Sequence, residues 1–372
     1  MTTQNYALNN CQKTVVTYVR TKMFLQTRFR NTPAFQPVYI SQSEIKRLFS
    51  PLKGMQIDKE LKSLTYLGEL NVTKQQQGKK EFIICTALKP GPINLSVLSP
   101  TPVLKDMLMH SMKQHLALIS LPSSAPSTEY FNFFLKHKAK YLDLFFKVDD
   151  FSGRVHTPVT SFKSDFRKNI LIEGAPTCSF DVCTMQPLLL SKILTDQIGQ
   201  NEFSEWINAG KDIYEIFQNT LGLDTRDKGK KGFFEVLFAP ANDNLANIFG
   251  KAGWITWINH YKSEYDPRNP HSKYKPHSNL AWLLQTTEVK LMRNIWQEIS
   301  DAGYPFLSVH DEIIVKESDL PATESIFKKV LGQEFQYFKI TAKSLTELHS
   351  IEYKNGHFVK CGFKSHAAWE YG

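Results

Sequence analysis

Apolar and polar positions along this chain group into blocks with different periods. Residues 1 to about 34 are polar and basic, with one helix expected around Thr14 to Arg30. From Val38 to Leu88 the pattern reads helix, helix, hairpin. Ser41 to Phe49 opens on a serine cap, and Asp58 to Leu67 carries apolar residues at helical spacing behind an aspartate cap. Leu70–Thr73 and Phe82–Thr86 then flank the polar turn Lys74–Lys80, which holds three lysines. Pro90 to Pro102 contains four prolines and reads as a linker. Two helices are expected after it, Val103–Ile119 and the aromatic, lysine-rich Glu129–Val148, separated by the break Leu121–Ser127. From Ser152 onward strands and helices alternate. There Phe306 to Val315 reads F-L-S-V-H-D-E-I-I-V, two apolar β-branched runs around a polar tip, which predicts strand, tight turn, strand.

Composition narrows the class. With 372 residues, 42% hydrophobic and 22% charged, the chain is of the soluble globular kind and long enough for two or three domains. A net charge of +9 favours a polyanionic partner. Cys11, Cys85, Cys178, Cys183 and Cys361 are odd in number and not closely spaced, which fits reduced thiols in the cytoplasm better than a disulfide framework or a cysteine metal site. No apolar run approaches the roughly 18 residues of a membrane span. Met1–Asn10 lacks the apolar core of a signal peptide.

The candidate chemistry lies in the second half. Asp181 follows Cys178-Ser179-Phe180 and precedes Leu188-Leu189-Leu190, so a strand should end near it and a helix begin at Pro187. Asp311 sits at the tip of the 306–315 hairpin and can face the same point. Two converging carboxylates can hold two Mg²⁺ ions about 3.5–4 Å apart, the arrangement used in phosphoryl transfer. Between them, Arg226, Lys230, Phe234 and Phe238 recur every four residues and form one helical stripe. Two cations followed by two rings suit a nucleoside triphosphate. The competing reading is an amphipathic helix with a solvated basic end and a buried aromatic end, weakened by Gly229 and Gly232. Trp254 and Trp257, in an apolar stretch, read as core. His271, His277 and His310 lack metal-ligand spacing.

Taken in order, Gly153-Arg154, Asp181, the Arg226–Phe238 stripe and His310-Asp311-Glu312 resemble the palm and fingers motifs of the family A, bacterial DNA polymerase I-like, DNA polymerases. The resemblance covers roughly residues 150 to 318. It implies an α+β fold, with an antiparallel-sheet palm over 151–372 and helical fingers inserted at about 195–280. A helical thumb-like segment would span 101–150. The region 1–100 would be an accessory domain, either a winged helix set against DNA or a small packing subdomain. The resemblance further implies that Asp181 and Asp311 bind the metals. Arg226, Lys230, Phe234 and Phe238 would serve the incoming nucleotide, and Arg154, Gln285 and His310 the primer-template, with Glu312 in support. Two positions depart from the family. Gln186 stands where a glutamate usually excludes the ribose 2′-hydroxyl, and Phe238 stands where tyrosine is usual, so sugar selection is open.

The expected reaction is template-directed extension of a primer 3′-hydroxyl with dNTPs, using two Mg²⁺ ions. Primed DNA would be the substrate, a helicase or primase a possible partner, and a monomer the expected state. The lack of a recognisable exonuclease region suggests a plasmid, virus or mobile element as the replicon. An RNA-tolerant primase-polymerase or single-subunit RNA polymerase is the nearest alternative. A non-catalytic DNA-binding replication protein is the alternative of another class.

Overall fold

The computed structural model describes residues 8, 10–30, 37–49, 54–67, 69–77, 80–88, 106–123, 134–138, 142, 145–344, 347–354 and 357–365. The chain divides into two compact units, one formed by 1–102 with 128–145 and the other by 103–127 with 146–372. The 101–150 segment, expected to stand as one thumb-like element, is thus shared between them.

In the first unit the order is α1 (Asn10–Arg30), β1 (Val38–Ser41), α2 (Gln42–Leu48), α3 (Gly54–Tyr66), β2 (Leu70–Gln77) and β3 (Lys80–Ala87). The three strands form an antiparallel sheet in the order β1-β3-β2. Ser41 starts α2 as expected: its hydroxyl accepts from the Glu44 N–H, and the Glu44 carboxylate accepts from the Ser41 N–H. Val38 and Ile40 are buried while Tyr39 between them is exposed, the period-2 signature of a strand with one covered face. Ile57, Leu61 and Leu64 bury one face of α3. Asp58 is not a cap, because α3 begins at Gly54; Asp58 sits inside the helix and pairs with Lys74 at 3.0 Å. The hairpin strands run on to Gln77 and Lys80, so Lys74 belongs to a strand rather than to the turn. The proline-rich linker 90–102 lies outside the described residues.

The second unit is α+β. Helix α4 (Met107–Ala117) is followed by β4 (Ile119–Ser120), the hairpin β5 (Lys147–Val148) and β6 (Val155–His156), the short α5 (Ser164–Arg167), β7 (Leu171–Ile172) and β8 (Ala175–Val182). Lys147–Val148 therefore forms a strand, not the end of a helix from Glu129; half of that stretch lies outside the described residues. A helical block comes next: α6 (Met185–Ile198), α7 (Glu202–Asn208), α8 (Ile213–Thr220), α9 (Arg226–Phe238), α10 (Asp243–Ile248), α11 (Gly253–Ser263) and α12 (Ser278–Asp301). The chain closes with β9 (Phe306–Val309), β10 (Glu312–Lys316), α13 (Leu320–Glu334), β11 (Tyr337–Lys343), β12 (Glu347–Lys354) and β13 (His357–Ser365).

These strands build one antiparallel sheet in the order β13-β12-β11-β8-β10-β9, with β8 in its interior. Along β8 the side chains of Cys178, Phe180 and Val182 are buried, and Phe180 stacks on Phe327 of α13 with ring centres 5.4 Å apart. The alternate residues Ser179 and Asp181 point to the other face. In the helical block Phe203, Phe217, Phe233 and Trp254 form a buried aromatic cluster, so Trp254 is core as its sequence context predicts. Trp257 is only half-buried and stacks on Tyr261 at 5.0 Å. Lys262 of α11 is buried and donates to the Val236 carbonyl at 2.7 Å, one of the carbonyls that the end of α9 leaves without a helical partner. Burial pushes its ammonium down to about 8. Among the described residues no helix is long and apolar enough to cross a membrane.

Candidate active site

The ladder between β9 and β10 pairs Val309 with Glu312, which leaves His310 and Asp311 as a two-residue turn. Both strands are buried, so this tip is held from two sides. His310 adopts a left-handed backbone, φ 60°, as one residue of a tight antiparallel turn commonly must. β10 also pairs with β8, and there Glu312 stands opposite Asp181. On the other flank Thr341 of β11 stands opposite the same aspartate. Residues facing each other across such ladders lie on one face with Cβ atoms about 4.5–5.5 Å apart. Asp181 and Glu312 therefore share a face, with Asp311 next to them at the hairpin tip.

The electrostatics of this corner follow from its crowding. Burial pushes the Asp311 carboxyl up to about 7, and the nearby charges of Asp181 and Glu288 push the same way. Asp181 is also raised, first by burial and then by Glu312, against the opposing pull of Lys343, Lys230 and Arg167. Lys343 of β11 reaches Asp181 only at 3.8 Å. Glu312 is different: Arg167 of α5 donates Nη2–H to it at 2.8 Å, and its Nη1–H goes to the Phe162 carbonyl at 2.7 Å. The Arg167 Nε is buried without a partner.

The four-residue stripe of α9 stands on the edge of the same charge cluster, since Lys230 acts on Asp181 and Asp311 acts on Tyr214. The helix spans the residues its pattern predicts, capped by Thr225. Its buried face is Gly229, Phe233, Val236 and Leu237, whereas Phe234 and Phe238 are only half-buried and Arg226 and Lys230 are exposed. The stripe is therefore not the core face of an amphipathic helix. Arg226 donates to Asp212 at 2.6 Å, and its guanidinium lies 5.0 Å from the centre of the Tyr214 ring. Lys230 lies 5.7 Å from that ring. Phe234 and Phe238 stack at 5.6 Å. Gly229 has a packing reason: a Cβ there would stand 2.2 Å from the Tyr214 carbonyl oxygen, so only glycine lets α8 and α9 approach this closely.

The third part of the site centres on a residue the sequence pattern did not single out, Glu288 of α12. It is 2% exposed. Arg154 donates Nε–H to its Oε1 at 2.9 Å and Nη2–H to its Oε2 at 2.7 Å, a bidentate fork. The Gln186 amide, in the first turn of α6, donates Nε2–H to the same Oε2. Burial raises the Glu288 carboxyl, and Arg154 opposes the rise. Arg154 is presented by the β5–β6 turn, in which Asp149 accepts from the N–H of Phe151 at 2.9 Å and of Ser152 at 2.6 Å, and Gly153 takes φ 80°. A hollow lined by Arg154, Glu288, Met292, Trp296, Ser308 and His310 lies beside it. The ring of His310 is 5.9 Å from that of His156, which pairs with Asp149 at 3.2 Å. Burial, with help from Arg154 and His156, lowers His310 to about 4, so it is neutral near pH 7. Gln285 is half-buried on α12, one turn before Glu288. Pro187 is the third helical residue of α6 rather than the first, behind Thr184 at φ 56°.

Of the residues singled out from the sequence, Asp181, Asp311 and Glu312 thus lie together at the β8–β10 edge with Lys230 acting on Asp181, and Arg154 and Gln186 meet on Glu288; Glu288, Arg167, Lys343 and Tyr214 were not singled out. One signal for Glu288 exists: it is an acid among Leu280, Leu284, Leu291, Met292 and Ile295, the buried positions of α12. No family model matches the chain, and no curated protein matches it either.

Proposed function

We propose that the chain is a template-directed DNA polymerase, a reduced relative of the family A enzymes, extending a primer 3′-hydroxyl with dNTPs. In this reading the sheet carrying β8, β9, β10 and β11 is the palm, and the helical block around α9 is the fingers. The observation that carries it is the closeness of Asp181 on an interior strand to Asp311 at the adjoining hairpin tip, whose carboxyl feels the Asp181 charge, each acid made harder to ionise by burial and by neighbouring acids.

That surplus of negative charge fits a hard divalent cation. Among the described residues no three His, Cys, Asp or Glu side chains form a metal cage. Two carboxylates with substrate phosphates supplying other ligands is the usual way Mg²⁺ is held. Asp181 and Asp311 would hold it, and when bound it supplies charge for the attacking hydroxyl and the leaving pyrophosphate. The protein groups divide the remaining work. Lys230 and Arg226 face the triphosphate, and Lys230 donates a proton to the leaving pyrophosphate. Phe234 and Phe238 pack against sugar and base. Glu312, fixed by Arg167, keeps the neighbouring strand end in register with Asp181. Arg154, Gln285 and His310 serve the primer-template, with His310 acting as a neutral ring.

The first unit supplies further grip on DNA in this reading. Its order, helix, strand, helix pair and hairpin, with β1 added to the sheet, supports a winged-helix module. The cytoplasm of a cell hosting a plasmid, virus or mobile element is the proposed setting, and a helicase or primase the proposed partner.

Gln186 and Phe238 favour a second reading, a polymerase that also accepts ribonucleotides. Primer extension with purified protein decides between them. Mg²⁺-dependent extension with dNTPs on primed DNA supports the first reading. Equal use of NTPs supports the second. No extension with either, alongside intact DNA binding, supports a non-catalytic replication protein.

A further inference from the structure

Lys230 is exposed on α9, and among the described residues no carboxylate lies within ion-pair distance of its ammonium. What stands beside it is an aromatic ring. The ammonium lies 5.7 Å from the centre of Tyr214, and the Arg226 guanidinium, one turn earlier on the helix, lies 5.0 Å from the same centre. Two like charges one turn apart repel each other. The electron-rich face of a tyrosine attracts both.

Tyr214 itself is tightly fixed. It is 6% exposed, and its ring packs against Phe233 at 5.8 Å and Phe234 at 6.3 Å between centres. Its backbone N–H donates to Oδ1 of Asp212 at 2.9 Å, while Oδ2 of that carboxylate accepts from Arg226 at 2.6 Å. The close approach at Gly229 presses α9 onto the Tyr214 carbonyl. A ring held in this way does not move to meet a lysine; the lysine settles on the ring.

A carboxylate could also hold Lys230, but it would cancel the charge it held. A ring face draws the ammonium without neutralising it, so the positive charge stays available to an anion. The platform also borders the acidic corner, since Lys230 acts on Asp181 and Asp311 acts on Tyr214. We propose that Tyr214 is a positioning residue for the phosphate chain of a nucleotide, its ring fixing where Lys230 and, together with Asp212, Arg226 present their charge. This rests on the polymerase reading, which supplies the triphosphate.

The test uses the full chain and measures dTTP affinity with Mg²⁺ by calorimetry without primer-template, so that no turnover is needed. Tyr214→Leu, Tyr214→Phe and chains carrying difluoro- or pentafluorophenylalanine at position 214 are compared with wild type, each also melted. Tyr214→Leu should weaken dTTP binding about fivefold or more. Tyr214→Phe, which keeps the ring, should restore affinity to within about twofold of wild type. Fluorination empties the ring face of negative potential at nearly constant shape, so affinity should fall stepwise with fluorine count while melting temperature stays near that of Tyr214→Phe. Fluorinated chains that bind dTTP as tightly as Tyr214→Phe would show the ring to be a mere spacer and overturn the assignment, leaving the polymerase reading intact. A Tyr214→Phe chain as weak as Tyr214→Leu would also overturn it, by assigning the effect to the hydroxyl. A wild type that binds no dTTP and extends no primer would end both.

Discussion

Asp181 and Glu312 stand opposite each other across the β8–β10 ladder, yet only Glu312 has a guanidinium partner. Arg167 therefore separates two acids that share a face into one neutralised and one available. Arg167→Ala should leave Glu312 as an unpaired charge beside Asp181, raising the proton affinity of Asp181 further. The expected loss of stability is about 1–3 kcal/mol, the range for a hydrogen bond to a partly buried charged group. Incorporation should fall as well, with its acid limb moved to higher pH. Denaturant titration and a pH–rate profile measure the two effects, and an unmoved profile would mean that Glu312 does not influence Asp181.

Asp181→Asn and Asp311→Asn keep the side-chain volume and remove the charge. Each should lower nucleotide incorporation by about a thousandfold or more while primed DNA still binds. Gel-shift titration beside single-turnover extension separates the two. Activity near wild type in either variant would remove that carboxylate from the reaction.

The raised Asp311 pKa predicts an inverted pH dependence of stability. In the unfolded chain this carboxyl titrates near about 4, whereas in the fold it titrates at about 7. Between those values the native state holds the proton and the unfolded state has released it. Stability from this group is therefore full below pH about 4 and lost as pH rises toward about 7. A three-unit shift corresponds to at most about 4 kcal/mol at the conversion for one pKa unit. Asp311→Asn should melt higher than wild type at pH 8 without divalent cation, with the gap closing by pH 5. Added Mg²⁺ should stabilise the wild type more than the variant. Parallel melting curves across the range would refute the assignment.

Gly229 and Gly232 should respond differently to alanine, although both sit in α9 and both gain helix propensity. At Gly229 the new Cβ would meet the Tyr214 carbonyl oxygen at 2.2 Å, which is backbone and cannot move aside alone. At Gly232 it would meet a terminal methyl of Leu221 at 2.8 Å, which can rotate. Gly229→Ala should cost about 1–3 kcal/mol, the usual range for overpacking, and displace the Tyr214 platform under Arg226 and Lys230. Gly232→Ala should fall within about 1 kcal/mol of wild type, because about that much helix propensity is regained. Thermal melts of the two variants check the contrast.

What could be read from the sequence was what local pattern encodes. The apolar runs around His310-Asp311 gave the hairpin, the Cys178–Val182 alternation gave the strand carrying Asp181, and the four-residue spacing gave α9 with its bounds. Local pattern also misled where tertiary packing won. Asp58 resembled a cap but lies inside α3, and Lys147–Val148 pairs with Val155–His156 instead of extending a helix. The missed residues all act over long sequence separation. Arg167 meets Glu312, Lys343 meets Asp181, and Glu288 meets Arg154 and Gln186, pairings that no local period announces. Only an acid on the buried face of α12 hinted at one of them.

The strand that carries Asp181 is bonded to a neighbour on both sides, and beyond its end the Cys183 N–H still reaches the Lys339 carbonyl at 2.8 Å. Asp311 instead occupies a two-residue turn. Amide protons around Asp181 should thus exchange only when the whole sheet opens, whereas those at the 310–311 tip can exchange through small local openings. One carboxylate is carried by a strand bonded on both sides and the other by a turn bonded only through its two flanking strands. If the proposed polymerase reading holds, substrate capture adjusts the second against the first without loosening the sheet.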